Sequence, residues 1–559
     1  MSTAPPAGPL DAAALRQRLR DGPHAWVPLE DFVPLPQCLE WRLSRAYWDQ
    51  RGSAAFFGGE VPYTAINDGR LSCDTARLLV ELCQGDAGRR LRVLEVGGGS
   101  GLFARLLLDE LRDTAPGLHA RTTYVWTDGA AAMVDQVRAN GMFSGHAGQV
   151  TTLQLAMPEM DALDAALRGD GFDLVIANYA VDNLPATMLR LGSDGPHELQ
   201  VRAALRADVP PQRLGGRTPS QWAEALQQGR VTVVDAVELY PWFSLDCRYQ
   251  PVDPSDWPHG LLLGQPPQGA TWHWMHHAVA WGWLGRVLPM LRPGGGVLIN
   301  DYGYRPSLGA PRHDAFQHFG PSLANGLNLD ELQAWVQAQP GWAVAAPPQD
   351  SRQVSSRWIG RADDPLSAGI FGLVFDGPRR DLAMDLLADA EAAAQARHLE
   401  QARWLFWRAR ESAPRCWHVL ERWAAFCRTR LQDASAAIGL AEAGLALHPH
   451  HPGLLNTLGD AHYDLGQLDA AQAAYRRALA ASPRDIRARL NLAFVCQDHG
   501  RHQEALQHLA EGLALDAPGD WRDALLEKQR QVLLSLSLQT RDAIVQQMNR
   551  FRNLDAPTT

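Results

Sequence analysis

Lysine is almost missing from this chain: there is one, Lys528, in 559 residues. A phosphate-cradling Gly-Lys-Ser/Thr loop and a Schiff-base lysine both need an ammonium in the pocket, so P-loop and pyridoxal chemistries are excluded. Arginine supplies the other basic residues, and 52 Lys+Arg against 62 Asp+Glu leave a net charge of -10. A basic footprint for nucleic acid or anionic lipid is therefore not expected. No apolar stretch approaches the roughly 18–20 residues that span a bilayer. Met1 to Leu19 lack the apolar core of a signal peptide. The seven cysteines form no CxxC pair, and an odd total suits a reduced compartment better than a disulfide frame. The expected location is cytoplasmic, without a membrane partner. A G-x-S-x-G hydrolase elbow is also missing. What remains is an ordinary globular composition, 46% hydrophobic and 20% charged. Its length implies about three or four domains at roughly 100–200 residues each.

Residues 1–90 are mixed, with helical stretches such as Cys73–Cys83, and are expected to form a helical cap or substrate segment. From 91 to 377, short β-type runs alternate with helical segments. The strand candidates are Arg92–Val96, Thr122–Thr127, Val150–Leu155, Phe172–Ala177, Gly296–Asp301, Trp342–Ala346 and Gly369–Phe375. Helices are expected at Leu102–Leu111, Ala130–Ala139 and Leu329–Ala338. Such alternation predicts an α/β fold with a mainly parallel sheet covered on both faces. Residues from about 190 to 270, with Pro/Gly-rich turns and two short helical pieces, read as an insertion. Its place near the ligand crevice of an open sheet makes it a candidate acceptor lid.

After residue 382 the strand signal stops and a 34-residue period begins. Gly459, Gly466, Ala471, Tyr475, Ala478 and Pro483 recur as Ala493, Gly500, Ala505, Leu509, Gly512 and, one residue late, Pro518. Small residues let paired helices approach, aromatics fill the layer between them and proline ends the second helix. The pattern resembles the tetratricopeptide repeat, with about four units over 382–518 and a capping helix and tail over 519–559.

The stretch most telling for chemistry runs Val93-Leu94-Glu95-Val96-Gly97-Gly98-Gly99-Ser100-Gly101-Leu102. A strand ending in an acid enters a glycine turn and then an amphipathic helix. Glycine permits positive φ and close approach of a ligand, while the helix start offers free N–H groups. The spacing E-x-G-x-G-x-G departs from the dinucleotide pattern and resembles motif I of class I S-adenosylmethionine methyltransferases. Tyr124 to Asp128 reads as the second strand, its terminal carboxylate able to accept two ribose hydroxyls. Phe172 to Asn178 reads as the fourth, and Leu291-Arg292-Pro293-Gly294-Gly295-Gly296 as the entry to the fifth.

Within that superfamily, Asn178 to Pro185, the insertion with His197 to Val201, and Ile299-Asn300-Asp301-Tyr302-Gly303-Tyr304 resemble the MidA-like family, which includes complex I assembly methyltransferases acting on arginine. The resemblance covers about residues 55–340, with Tyr179 standing where that family usually has Glu and a loose echo at Phe316–Gly320. It implies a seven-stranded Rossmann-like sheet and S-adenosylmethionine held by Glu95, Gly97, Gly98, Gly99, Gly101, Asp128 and Asn178. A segment near Tyr63, Asn67 and Gly69 would close over the pocket. The Thr127-Asp128 wording is also close to carbon-methylating domains of polyketide assembly lines, so the acceptor stays open.

In-line displacement asks the protein to hold the acceptor about 3–3.5 Å from the methyl carbon and to manage its proton. Asp182, just past the fourth strand, is the first catalytic candidate, followed by Asp301 and Tyr302; the competing reading of Asp182 is a helix N-cap near Leu184. His273, His276 and His277 would share one helical face, yet no fourth ligand follows by spacing and no metal is expected. His448, His450 and His451 read as solvated turn residues. The expected partner is a protein or peptide acceptor held in the repeat groove. A cationic acceptor would suit Asp246, Asp253 and Asp256 in the insertion. The alternatives are a small-molecule methyltransferase and a non-catalytic repeat scaffold.

Overall fold

The computed structural model describes residues 25–56, 67–84, 88–163, 165–253, 271–305, 316–319, 322–515 and 519–554. The chain divides into two units, Met1–Leu382 and Ala383–Thr559.

The first unit is built on a seven-stranded sheet, its strands here numbered along the chain: β1 Leu91–Val96, β2 Thr122–Asp128, β3 Val150–Gln154, β4 Phe172–Asn178, β5 Leu291–Asp301, β6 Trp342–Ala345 and β7 Ser355–Arg361. Their spatial order is β6-β7-β5-β4-β1-β2-β3. β5, β4, β1, β2 and β3 pair parallel in turn, whereas β7 runs antiparallel to both β5 and β6. Parallel strands between two helical layers are buried on both faces and so read as unbroken apolar runs. β4 shows this directly: all seven of its residues are buried. One face packs Leu94, Val125, Val175 and Val297 against Trp281, Trp283 and Trp335. The order reverses between β4 and β1, which places a ligand crevice over their carboxyl ends.

The seventh strand is not where the sequence places it. Gly369–Phe375 lies mostly in a helix, Pro365–Val374, started by Asp364, whose side chain accepts from the Ser367 N–H at 3.2 Å, with Pro365 at its first position. Ser355–Arg361 forms the strand instead. Its polar sequence hid it, because Arg357 is buried only by virtue of bonding Asp350 at 2.8 and 2.9 Å.

The insertion carries its two helices, Pro219–Gln227 and Val233–Ala236, but most of its structure is β. Thr187–Gly192, Gly195–Arg206, Phe243–Pro251 and Trp272–His276 form an antiparallel sheet completed by Trp26–Pro28 and Val33–Pro34. The N-terminal segment thus brings strands as well as the helices Leu39–Arg51 and Arg70–Leu82. Trp272–His276 is therefore a strand rather than a helix, and its histidines do not share one helical face. His276 Nδ1 instead bonds Glu331 in a buried pair, and Glu331 also accepts the His277 N–H at 3.2 Å. Burial pushes the His277 imidazole down to about 4.

Among the described residues the second unit is all helix: most of Gly377–Gln395, then Leu399–Ser412, Trp417–Arg430, Ala434–Leu447, Pro452–Asp464, Leu468–Ala481, Ile486–Asp498, His502–Leu515 and the terminal Arg522–Leu554. The periodic small residues act as expected. A Cβ at Gly459 would stand 2.5 Å from the Tyr475 ring, and Ala471, Ala493 and Ala505 are fully buried. Pro518 lies outside the described residues. The turn histidines are a correction, because His448 is buried and His451 caps the helix Pro452–Asp464 by accepting the Leu454 N–H at 3.1 Å. Among the described residues no helix is long and apolar enough to cross a membrane.

Candidate active site

β1 ends at Glu95 and opens into a bend in which Gly97, Gly99 and Gly101 have φ of 63, 56 and 73°. L side chains are strained there, so the sequence folds this way because glycine stands at those three points. Gly101 leads directly into the helix Leu102–Thr114. Gly98 is needed for a different reason: a Cβ on it would be driven into the indole of Trp126, which is fully buried beneath the bend. The bend is pinned to β2 by the Gly98 N–H donating to the Thr127 carbonyl at 2.9 Å.

Asp128 stands at the tip of β2 beside this bend. One carboxylate oxygen accepts the Gly99 N–H at 2.9 Å and the other the Ala130 N–H at 2.8 Å. Each oxygen has a second lone pair, so the acid can hold the bend and still accept from a ligand. Burial raises its pKa above the usual carboxylate value, against the two amides that lower it. The N-terminal segment closes on the same place. Phe56 lies 3.5 Å from where a Gly99 Cβ would be, and Ser100 Oγ donates to Asn67 Oδ1 at 3.4 Å. Gly69, at φ 94°, starts the helix Arg70–Leu82, while Tyr63 lies outside the described residues.

Glu95 and Asn178 sit lower, under the strand tips. Glu95 is 1% exposed; it accepts from the Tyr124 hydroxyl at 3.0 Å and from Asn178 Nδ2 at 3.5 Å. Asn178 Oδ1 in turn accepts from Asn300 at 2.8 Å. These side chains tie β2, β1, β4 and β5 together, so Glu95 and Asn178 support the crevice floor. Burial drives the Glu95 carboxyl up to about 8. Nothing in the strand Thr122–Asp128 marks Tyr124 as a partner of Glu95, although the two-residue strand period puts it on the same face as Trp126.

The second group of expected residues converges at the ends of β4 and β5. Asp301 accepts the N–H groups of Val181 at 3.1 Å, Asp182 at 3.0 Å and Tyr302 at 2.8 Å. Asp182 is 2% exposed and bonds both Asp301 and Asn183, the latter at 2.7 Å. No helix starts at Leu184; the chain turns and enters Thr187–Gly192, so Asp182 is not a helix cap. Burial raises both carboxyls, Asp182 to about 7, and the charge of Asp182 raises Asp301 further. Two buried carboxyls in contact share a proton at neutral pH. Beside them the Tyr302 ring stacks on Tyr179, centroids 4.6 Å apart, and burial pushes the Tyr302 phenol up to about 12. Tyr179 has φ 43° and anchors to β5 through its N–H and the Asn300 carbonyl at 2.8 Å. The strand Ser322–Asn325, paired with Phe316–Phe319, covers this corner, with the Asn325 N–H on the Asp182 carbonyl at 2.7 Å. Gly320 lies outside the described residues. Among the acids offered for a cationic acceptor, Asp246 is paired with Arg202 at 2.7 Å, and Asp256 lies outside the described residues.

Raised carboxyl pKa values tie stability to pH. The folded chain binds these protons more tightly than the unfolded chain does. Their contribution is therefore full below about pH 4 and is lost as pH rises to about 7 for Asp182 and about 8 for Glu95. Urea unfolding of the first unit between pH 5 and 9 is expected to show falling stability, with a shallower slope in Glu95→Gln. An unchanged slope would mean that Glu95 is already ionised.

Residues 75–319 match the family "Putative S-adenosyl-L-methionine-dependent methyltransferase" and residues 459–500 the family "TPR repeat". No curated protein matches the chain. Among solved structures, a protein from Burkholderia thailandensis bound to S-adenosyl-homocysteine is similar at 19% identity, with 72% of this chain and 90% of that one covered and a TM-score of 0.35. An uncharacterized protein from the same organism is similar at 17% identity, covering 62% and 82%, with a TM-score of 0.36. A tetratricopeptide protein of Thermus thermophilus is similar at 20% identity over 28% of this chain and 82% of that one, with a TM-score of 0.24.

Proposed function

From the premise of an S-adenosylmethionine-dependent methyltransferase domain joined to tetratricopeptide repeats, we propose that the enzyme methylates a protein or peptide acceptor, an arginine nitrogen by resemblance to the MidA-like family, and that the repeats recruit it. Repeat stacks present extended concave surfaces suited to peptides.

The residues fit the cofactor. Gly97 and Gly99 leave backbone part-exposed where side chains would fill the bend, and Asp128 keeps acceptor capacity beside it. When bound, S-adenosylmethionine supplies a methyl group on a sulfonium that is already a good leaving group. The chain has two tasks: to orient the acceptor and to take its proton. A carboxyl whose pKa is raised toward neutrality is matched to proton transfer there, and burial pushes Asp182 in that direction. Asp301, locked by three backbone N–H groups, fixes the position of Asp182. Tyr302 offers a phenol and a ring face at the same corner.

The observation that carries this reading is the meeting of two features at one sheet edge: the glycine bend bonded to Asp128 beyond β1 and β2, and the Asp182–Asp301 pair beyond β4 and β5. Tritium-methyl labelling of a host lysate with the full chain tests the acceptor. Label in a protein band supports the proposal, whereas label confined to small molecules replaces it with the small-molecule reading. Asp182→Asn is expected to lower kcat about 10²-fold with S-adenosylmethionine affinity retained, and to remove the rise of activity through about pH 7. Unchanged kcat would remove Asp182 from the mechanism.

A further inference from the structure

The helices Ile486–Asp498 and His502–Leu515 bring three metal-ligating side chains to one point, far in sequence from the methyltransferase residues. Cys496 lies on the first helix; Glu504 and His508 stand one turn apart on the second. One ligand atom from each lies within 4.8 Å of the other two. We propose that Cys496, Glu504 and His508 form a binding site for a borderline-soft divalent cation, zinc being the expected one.

The donor set argues for this class. Calcium and magnesium take oxygen ligands, whereas a sulfur, an imidazole nitrogen and one carboxylate suit zinc. Zinc–ligand bonds are about 2.0–2.3 Å, which sets donors about 3.3–3.7 Å apart around a tetrahedral ion. The three groups therefore need to close by at most about 1.5 Å. Cys496 is fully buried and reduced, a fixed wall of the site. The other two reach solvent: the Glu504 and His508 side chains are 33% and 19% exposed. His508 Nδ1 is buried without a hydrogen-bond partner, and its Nε2 lies 4.0 Å from Glu504 Oε1. Nε2, the ring nitrogen that faces Glu504, is the one that would ligate, with Nδ1 then carrying the ring N–H.

Two arginines compete for Glu504: Arg501 reaches one oxygen at 2.8 Å and Arg476 the other at 3.3 Å. Both have exposed routes to solvent, at 36% and 57% exposure. They balance the carboxylate in the metal-free chain and swing away when the cation takes over. On binding, the Cys496 S–H bond breaks, a sulfur–metal bond forms and the proton leaves to solvent, with no change of oxidation state. Three protein ligands leave a fourth position for water. Because the ligands come from both helices, the ion would clamp the last helix pair before Arg522–Leu554.

Metal-stripped full-length protein titrated with Zn²⁺ against a chromophoric chelator is expected to bind one equivalent. His508→Ala and Glu504→Gln should weaken that binding at least tenfold. Co²⁺ in place of zinc should show a thiolate-to-cobalt absorption that Cys496→Ser removes and Cys83→Ser keeps. If Cys496→Ser fails to fold, His508→Ala decides alone, since its residue is partly exposed. Zinc affinity unchanged in His508→Ala, or a cobalt spectrum without the thiolate band, overturns the proposal.

Discussion

Gly99→Arg is expected to abolish S-adenosylmethionine binding while leaving the fold intact. The position is a left-handed one, φ 56°, so a side chain there costs about 1–2 kcal/mol. Sterically it is open, since a Cβ would meet only Phe56, at 3.5 Å. The arginine would therefore be accommodated, and its guanidinium would lie over the bend within reach of Asp128, which bonds the residue 99 N–H. A cation paired there removes both the space and the acceptor that a ribose needs. The expected loss is at least ~10³-fold in affinity, about 4 kcal/mol, read by calorimetry with S-adenosylmethionine and its demethylated product. Gly98→Ala is the contrasting case. Its Cβ collides with a buried indole, so it should unfold β2 from the bend and lower Tm before any ligand is added. Normal binding by a folded Gly99→Arg would place the cofactor elsewhere and sink the reading of the crevice.

Asp128→Ala is expected to cost both stability and affinity. Two backbone donors, the N–H groups of half-buried Gly99 and buried Ala130, lose their acceptor. At about 1–3 kcal/mol for each unmet donor, the stability loss should be about 2–6 kcal/mol. Affinity should fall a further ~10²–10³-fold, because charge-assisted bonds to the ligand are the strong ones. Asp128→Asn keeps the size and one carbonyl oxygen, so it should recover part of the stability but little of the binding. Denaturation curves and calorimetry on both variants separate the two effects. Asp128→Ala with normal affinity would confine the acid to holding the bend.

The glycine bend was legible in the sequence because its requirement is local: three residues at positive φ admit little but glycine, and a strand before and a helix after them fix the context. The 34-residue period was legible for a similar reason, since one repeat packs only on the next. What escaped reading depended on pairing between distant segments. Ser355–Arg361 carries two serines and two arginines, and nothing local shows that Asp350 will neutralise Arg357 and let the strand be buried. Gly369–Phe375 is apolar enough for a strand, yet Asp364 and Pro365 make it a helix. Phe243–Pro251 and Trp272–His276 pair with the earlier insertion strands across about 40 to 90 residues, and Gly195–Arg206 also pairs with Trp26–Pro28 and Val33–Pro34, more than 150 residues away in the chain.

The chain by itself determined the alternation of strands and helices, the bend after Glu95, the acid closing the second strand and the repeats, since each follows from dihedral preference or periodicity. Tertiary structure alone decided which polar groups meet. It set the buried carboxyls of Asp182 and Asp301 side by side, turned Glu95 and Asn178 into a buried floor, and brought Cys496 to Glu504 and His508. The physical reason is that a titratable group takes its character from burial and from neighbours across the fold, and neither is written in the residues beside it.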